Sequence, residues 1–370
     1  MKSLFDTTRL NGLLLKNRCI RSATWEGMAN ASGHMTKAAF ETYGKLARGG
    51  VGLIITGLAT ITRPLPHRFS ICDDSFIDEY ERLASLVHKE GTGLLVQVGH
   101  LGSSNRVGDD VQLNWGPSAI PSRNRNIIPK EMDKDDIHAL IRSFVAASKR
   151  AKRAGVDGVQ LHVAHGTLLS KYLSPYYNRR TDEYGGGPHN RARIVYETYE
   201  AVRECVGDNC IVSAKINCED FFEGGLVLDD SIQICQQLAE RGMDVIEISG
   251  GHLPGPGEKN KIIRTGVGDC EPESYFRYQT DCIARAARTP VILVGGNRSI
   301  ETVEDILATS PIEYISFSRP LIREPGLINR WQTGDRTPAK CIYCNRCHDH
   351  LLEGQILACV YHKEPGHHTD

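Results

Sequence analysis

Eight short runs of apolar and β-branched residues recur along the chain, alternating with longer segments that have helical spacing. Continuous apolar runs of this length are typical of parallel strands buried on both faces. Strands that alternate with helices form βαβ units, and eight such units predict a closed (β/α)8 barrel, with a doubly wound open sheet as the alternative. The predicted strands are residues 17–23, 51–57, 93–99, 157–163, 211–217, 244–250, 290–296 and 313–319.

Segments outside these units complete the predicted organisation. The N-terminal stretch "LFDTTRLNGLLLKN" is typical of a short hairpin, which would close the bottom of the barrel. We predict a barrel domain over residues 1–335 and a cysteine-rich segment over residues 336–370. The connections after the second and sixth strands are expected to be the longest, and long loops at such positions often cover a substrate.

The composition narrows the partners that the chain is expected to have. The 370 residues include 44 basic and 45 acidic side chains, for a net charge of −1. This balance gives no reason to expect a nucleic acid or an acidic membrane surface as partner. No signal peptide is recognised, and no apolar run approaches the ~18 residues of a membrane span. A cytoplasmic protein is therefore predicted. We also expect a homo-oligomer.

Polar and cationic groups follow seven of the eight predicted strands. In a (β/α)8 barrel, the carboxyl ends of the strands carry the chemistry. We therefore expect these groups to meet at one face of the barrel. They are Thr24, Gln97, His162, His165, Lys215, Asn217, Ser249, His252, Gly295, Gly296, Asn297, Ser318 and Arg319.

The ends of the last two strands predict a phosphate site. Gly295 and Gly296 follow the seventh strand, and Ser318 and Arg319 follow the eighth. Glycine lets backbone N–H groups approach phosphate oxygens, and a guanidinium can pair with two oxygens at once. The simpler alternative is that the double glycine only makes a tight turn.

Lys215 has three interpretations: a salt-bridged lysine, a Schiff-base nucleophile, or a cation that faces an electron-rich cofactor. A Schiff-base nucleophile needs a desolvated amine of low pKa. Gln97 favours the cofactor, because a side-chain amide both donates and accepts, as the edge of a flavin ring requires.

Several motifs together resemble the FMN-binding barrels of the Old Yellow Enzyme family over nearly the whole chain. They include "QVGHLG", "HVAHG…LSPYYNRRTDEYGG", "AKIN", "VGGNR" and "SRPLIREP". The similarity is greatest to the branch that contains 2,4-dienoyl-CoA reductase and trimethylamine dehydrogenase.

The resemblance implies FMN in the barrel mouth and a role for each matched residue. Thr24 would face the redox-active part of the ring, Gln97 its pyrimidine edge, and Lys215 the end that becomes anionic on reduction. Arg319 and the double glycine would hold the phosphate. The implied cofactor-binding residues are Ala23, Thr24, Gly57, Gln97, Lys215, Gly295, Gly296, Ser318 and Arg319.

The resemblance also implies a reaction, the reduction of a C=C bond conjugated to a carbonyl group. His162 and His165 would bind the carbonyl oxygen and stabilise its developing charge, as in an oxyanion hole. One alternative in the same fold is an amine or ether demethylase; another class is a Schiff-base lyase. A metal site built on the two histidines, with His100 as a third ligand, is a further alternative.

The sequence departs from the family at the proton donor. Many relatives carry a tyrosine two residues after the second His or Asn of the pair, where this chain has Thr167. A threonine hydroxyl is too weak an acid for this role. His252 is the predicted catalytic replacement, and the other candidates are solvent, Tyr172, Tyr176 and Tyr177.

Four of the twelve cysteines lie near the end, at Cys341, Cys344, Cys347 and Cys359. Their spacing resembles the cluster-binding segment of the same branch and suits a [4Fe–4S] cluster. A structural zinc site and a segment without metal are the alternatives. Electrons would come from NAD(P)H at the flavin or from a redox partner protein through the cluster.

Overall fold

A computed structural model describes residues 2–104, 114–123, 127–255 and 257–361. Its strands are short and mostly buried, as the apolar runs predict. They are β1 (Thr8–Leu10), β2 (Leu13–Leu15), β3 (Cys19–Arg21), β4 (Leu53–Ile55), β5 (Ala59–Thr60), β6 (Gly93–Gly99), β7 (Trp115–Gly116), β8 (Lys130–Glu131), β9 (Gly158–Val163), β10 (Ile211–Asn217), β11 (Val245–Ser249), β12 (Val291–Leu293) and β13 (Tyr314–Phe317).

Eight of these strands form a closed parallel barrel, which confirms the predicted fold. The order around the barrel is β3, β4, β6, β9, β10, β11, β12 and β13, and β13 pairs with β3 to close it. The two-residue strand β5 pairs with the end of β6, and β7 pairs with β8 outside the barrel.

Amphipathic helices surround the barrel. The longest, α3, begins after a capping box at Asp133 and ends before Gly155, whose φ of 73° suits glycine at a helix end. The helices are α1 (Lys37–Arg48), α2 (Ile77–His88), α3 (Lys134–Arg153), α4 (Leu168–Leu173), α5 (Pro188–Arg191), α6 (Arg193–Val206), α7 (Leu228–Glu240), α8 (Arg277–Ala287), α9 (Ile300–Thr309), α10 (Arg319–Arg323), α11 (Leu327–Gln332) and α12 (Arg346–Leu352).

The N-terminal hairpin of β1 and β2 closes one end of the barrel. Leu10 and Leu15 are buried and pack in one cluster with residues at the strand beginnings, among them Leu53, Ile211 and Val245. Apolar side chains therefore fill the amino-terminal end of the barrel, and its carboxyl-terminal end is left for a binding site.

The prediction about loop length is wrong in one respect. The connection after the third barrel strand, residues 100–133, is longer than the connection at 61–73, although parts of it lie outside the described residues. The connection after the sixth strand, residues 250–276, is long as predicted. Over the described ranges, no helix combines the length and the apolar character that crossing a membrane requires.

Candidate active site

A cavity of about 290 Å³ lies at the carboxyl ends of the barrel strands. Ten of the twelve residues predicted from the sequence as catalytic or cofactor-binding line it. They are Ala23, Thr24, Gln97, His162, His165, Lys215, Gly295, Gly296, Ser318 and Arg319.

A chain of buried polar side chains supports the floor of this cavity. The Lys215 ammonium donates to Ser22 Oγ at 2.8 Å and lies 3.4 Å from Glu247 Oε1. Ser22 Oγ donates to the same carboxylate at 2.7 Å, and Gln160 Nε2 donates to its other oxygen at 3.0 Å. Gln97 Nε2 donates to Gln160 Oε1 at 2.8 Å. The two predicted ring contacts, Gln97 and Lys215, are therefore joined in one hydrogen-bonded network.

The network surrounds the buried Lys215 amine with hydrogen-bonding partners. Burial lowers the pKa of Lys215, and the Glu247 carboxylate opposes that shift. Glu247 is fully buried, and it faces Lys215 directly across the β10–β11 pairing. The 3.4 Å contact with the Glu247 carboxylate fits the salt-bridged interpretation of Lys215.

Sequence reasoning missed Glu247 and Gln160. Each is a lone polar residue inside an otherwise apolar strand run, "DVIEISG" and "DGVQLHV". That pattern was the available signal, because a polar side chain is seldom fully buried without a partner.

His162 and His165 lie next to each other, with ring centroids 5.4 Å apart and ring planes at 71°. The backbone of His165 is left-handed, with φ 63°, and its N–H donates to Asn217 Oδ1 at 3.2 Å. His165 Nε2 lies 2.7 Å from Ser249 Oγ. The ends of β10 and β11 therefore hold the turn that follows β9. This turn brings His165 beside His162, which lies in β9 itself.

Both imidazoles are neutral hydrogen-bonding groups. Burial lowers the pKa of His162 to about 3, and the charges of Lys215 and Arg68 add to the shift. Burial likewise lowers the pKa of His165 well below its ordinary value. His162 Nδ1 is buried without a hydrogen-bond partner among the described residues. A group bound in the cavity would satisfy it.

The double glycine at the seventh strand end is required by the packing around it. Gly295 and Gly296 have φ values of 106° and 78°. A Cβ atom on either residue would lie 2.7 Å from the ring of Tyr275, and one on Gly295 would be equally close to Phe276. Only glycine fits here, and the backbone is exposed to the cavity.

Arg319 lies at the same end of the cavity and is only 7% exposed. Its guanidinium donates to the carbonyl oxygen of Arg264 at 2.6 Å, to Asn345 Oδ1 at 2.5 Å and to the Tyr275 hydroxyl at 3.4 Å. All three acceptors are neutral, and no carboxylate in the described residues forms an ion pair with Arg319. This end of the cavity therefore carries an unbalanced positive charge.

The wall that follows β3 contributes Thr24 and Trp25. Thr24 Oγ1 lies 2.9 Å from Ser318 Oγ, which links the first strand end to the eighth. The Arg68 guanidinium lies over the Trp25 ring, 4.1 Å from its centroid, and both residues line the cavity. This cation was not singled out from the sequence.

Gly57 and His252 lie outside the described lining of the cavity. The Gly57 N–H donates to the Tyr43 hydroxyl at 2.9 Å, and a Cβ there would lie 2.5 Å from both Glu26 and Thr24. His252 stacks on Tyr177, with ring centroids 5.2 Å apart, and its Nε2 lies 3.0 Å from Asp220.

The other candidate proton donors form contacts of their own, and so does His100, the candidate third metal ligand. The Tyr172 hydroxyl is buried against Met132, 3.5 Å from its sulfur. The Tyr177 hydroxyl accepts from the Arg123 N–H, and burial raises the pKa of Tyr177 to about 12. Thr167 does line the cavity, but its hydroxyl donates to backbone carbonyl oxygens of its own turn. His100 stacks on Trp115 rather than beside the histidine pair.

The four late cysteines line a second cavity of about 220 Å³. Arg319, Arg323 and Lys340 line it as well, and Arg323 donates to Cys359 Sγ at 3.3 Å. Cys347 and Arg319 line both cavities. Within the described residues, no set of three or more His, Cys, Asp or Glu side chains is arranged as a metal-ion site.

With this geometry established, comparison with known proteins identifies the family. The model of the NADH:flavin oxidoreductase / NADH oxidase family matches residues 3–337. The chain belongs to this family. The predicted membership in the Old Yellow Enzyme family is confirmed.

Individual relatives match over most of the chain. NADH oxidase of Thermoanaerobacter brockii is 31% identical over 353 residues, which cover 93% of this chain and 53% of that protein. NADPH dehydrogenase of Geobacillus thermodenitrificans is 32% identical over 333 residues, which cover 87% of this chain and 91% of that protein. The chain thus spans about half the length of the first relative.

Solved structures share the fold. The structure of 2-naphthoyl-CoA reductase in complex with 2-naphthoyl-CoA superposes with a TM-score of 0.87 at 22% identity. The match covers 96% of this chain and 56% of that one. At this identity, the similarity shows the common fold alone.

We predict that the His162 imidazole stays neutral between about pH 5 and pH 8, where ordinary imidazoles titrate. Imidazole nitrogen shifts of ¹⁵N-histidine-labelled protein measure this directly. His88 is the internal control, because its hydrogen bond to Asp157 raises its pKa. Unfolded His162 binds a proton near 6.5 and folded His162 does not, so its contribution to stability falls as the pH drops below 6.5. Titration of His162 near 6.5 would contradict the account.

Proposed function

We propose that this chain binds FMN in the barrel mouth and reduces the C=C bond of an α,β-unsaturated carbonyl compound, with NAD(P)H as electron donor. The observation that carries the proposal is that the imidazoles of His162 and His165, whose pKa values are both lowered, line one cavity together with Gln97, Lys215 and Arg319. Family membership supports the flavin and the nicotinamide donor.

The residues of the cavity fit FMN. Gln97 uses its amide nitrogen on Gln160, which leaves its carbonyl oxygen for the ring. Lys215 is held by Ser22 and Glu247 at the cavity, where its amine would face the end of the ring that gains negative charge. Arg319 has only neutral partners, and a phosphate would balance its charge.

FMN bound in this cavity would supply a hydride to the β carbon of the substrate. Negative charge then develops on the carbonyl oxygen, and N–H donors from His162 and His165 stabilise it. The two groups are neutral, so they act as donors and need not give up a proton. If the Ser249 hydroxyl donates to His165 Nε2, the His165 Nδ1 atom keeps its hydrogen for the substrate.

We infer that solvent protonates the α carbon. The Thr167 hydroxyl donates to backbone carbonyl oxygens, and the described lining of the cavity does not include Tyr172, Tyr176 or Tyr177. His252 lies behind the Gly166 turn, where a Cβ would lie 2.7 Å from its Nδ1. We assign His252 to positioning that turn.

Among the described residues, none of the candidate acids is placed to protonate the α carbon. This favours a second candidate function, the oxidative demethylation or dehydrogenation of an amine or ether. Such a reaction does not require an internal acid that protonates carbon. Anaerobic turnover with 2-cyclohexenone and with methylated amines separates the two candidates, since each proposal is supported by turnover of its own class alone.

We also propose that the second cavity holds a [4Fe–4S] cluster through Cys341, Cys344, Cys347 and Cys359. Its volume of about 220 Å³ leaves space for a group larger than a single ion. Three cationic side chains line it, which suits the negative charge of a cluster with four thiolates. Because Cys347 also lines the first cavity, the cluster would pass electrons between the flavin and a partner protein.

We predict that His162→Ala and His165→Ala each keep their FMN but slow reoxidation of the reduced flavin by 2-cyclohexenone about a hundredfold, the effect of losing one oxyanion donor. Stopped-flow absorbance under anaerobic conditions measures the rate. His189→Ala, an exposed histidine on α5, serves as the control and should leave the rate unchanged.

A parallel loss of FMN and activity in the two variants would show a structural role instead. Unchanged reoxidation with full FMN content would remove the histidines from the reaction.

For the cluster, we expect anaerobically prepared protein to contain about four iron atoms per chain. Elemental analysis and a broad absorbance beneath the flavin bands measure this. Cys344→Ala should remove the iron and spare reduction of the flavin by NAD(P)H. Cys270→Ala is the control, because Cys270 is exposed and is not one of the four late cysteines, and this variant should keep the iron. Stoichiometric zinc, or no metal, would contradict the proposal.

A further inference from the structure

The cysteine-rich segment reaches the phosphate end of the flavin cavity through the two residues that flank Cys344. Tyr343 and Asn345 both have left-handed backbone conformations, with φ values of 53° and 62°. Such values are uncommon outside glycine and persist where surrounding contacts hold them. Both side chains contact Arg319 or its immediate neighbours.

Asn345 bridges Arg319 and the loop after the sixth strand. Its Oδ1 accepts from Arg319 Nη1 at 2.5 Å, and its Nδ2 donates to the carbonyl oxygen of Ile263 at 2.8 Å. The acceptor is neutral, so it orients the guanidinium without cancelling its charge.

Tyr343 holds Arg319 from a second direction. The ring is 1% exposed, and the Arg319 Cζ atom lies 4.4 Å from its centroid. The Tyr343 hydroxyl donates to the carbonyl oxygen of Asn297 at 2.7 Å, directly after the double glycine. The segment is thereby attached to both predicted parts of the phosphate site, the guanidinium and the glycine turn.

We propose that Asn345 and Tyr343 are positioning residues for Arg319, so that the cysteine-rich segment completes the FMN phosphate site. The proposal rests on the proposed binding of FMN in this cavity. An arginine side chain has many rotamers in solution, and fixing it before the ligand arrives removes that cost from binding.

The arrangement also links the two cavities. Arg319 lines both, and Cys344 lies between the two residues that hold it. A group that fixes the residues of the cysteine cavity would therefore also favour the Arg319 conformation that binds the FMN phosphate. By thermodynamic linkage, FMN binding would favour that arrangement of the cysteine cavity by the same free energy.

The test compares FMN with riboflavin, which has the same ring but no phosphate. Asn345→Gly removes the amide and keeps a residue suited to the left-handed backbone. We expect Asn345→Gly to weaken FMN binding at least about tenfold, the range for a hydrogen bond to a charged group, and to leave riboflavin binding unchanged. Quenching of flavin fluorescence on titration of the purified protein gives both dissociation constants.

Asn11→Gly is the matched control. Asn11 also has a positive φ, 42°, and is exposed in the hairpin at the opposite end of the barrel. This variant should bind both flavins as the wild-type protein does.

Equal weakening of FMN and riboflavin by Asn345→Gly, or no weakening of either, overturns the inference while FMN binding itself stands. Wild-type protein that binds neither flavin overturns the proposed function and this inference together. Should Asn345→Gly fail to fold, Tyr343→Phe, which removes only the hydroxyl bond to Asn297, is held to the same comparison.

Discussion

The buried ion pair of Lys215 and Glu247 is the interaction on which the rest of the site depends. Two charges inside a barrel are tolerated only when they are paired and hydrogen-bonded, and removing one partner of such a pair costs about 3–5 kcal/mol. Ser22 and Gln160 supply the remaining hydrogen bonds to the carboxylate. The network thus ties together β6, β9, β10 and β11 with the end of β3, and it fixes the Lys215 amine at the floor of the cavity.

Much of the fold could be predicted because it depends on patterns that are local in the sequence. Alternating apolar runs and helices specify the barrel, and strand ends meet at one face in any such barrel. Glu247 was missed because the interior partner of Lys215 is set by barrel closure and strand register, which a single strand run does not reveal. His252 follows a strand end too, but Gly251 has φ 87°, and the chain turns His252 onto Tyr177 and Asp220.

In the cysteine-rich segment, too, the spacing of residues predicts one feature, and the backbone conformation determines another that the sequence does not reveal. The spacing of the four cysteines predicts that they gather, and they do line one cavity. The contact of Asn345 with Arg319 depends on two left-handed residues and on a loop more than eighty positions earlier in the chain, and no local pattern signals it. The two cavities share the Arg319 guanidinium and Cys347 in their linings, so the barrel and the segment meet at these two residues.

The central claim is that the cavity at the strand ends is an FMN site. Titration of flavin-free protein with FMN, followed by fluorescence and then by acid release, tests it most directly. We expect saturation at one FMN per chain and recovery of unmodified FMN after acid treatment, because the residues proposed to bind the group would hold it without a covalent bond. Protein that stays colourless and does not quench FMN fluorescence in excess cofactor would contradict the account.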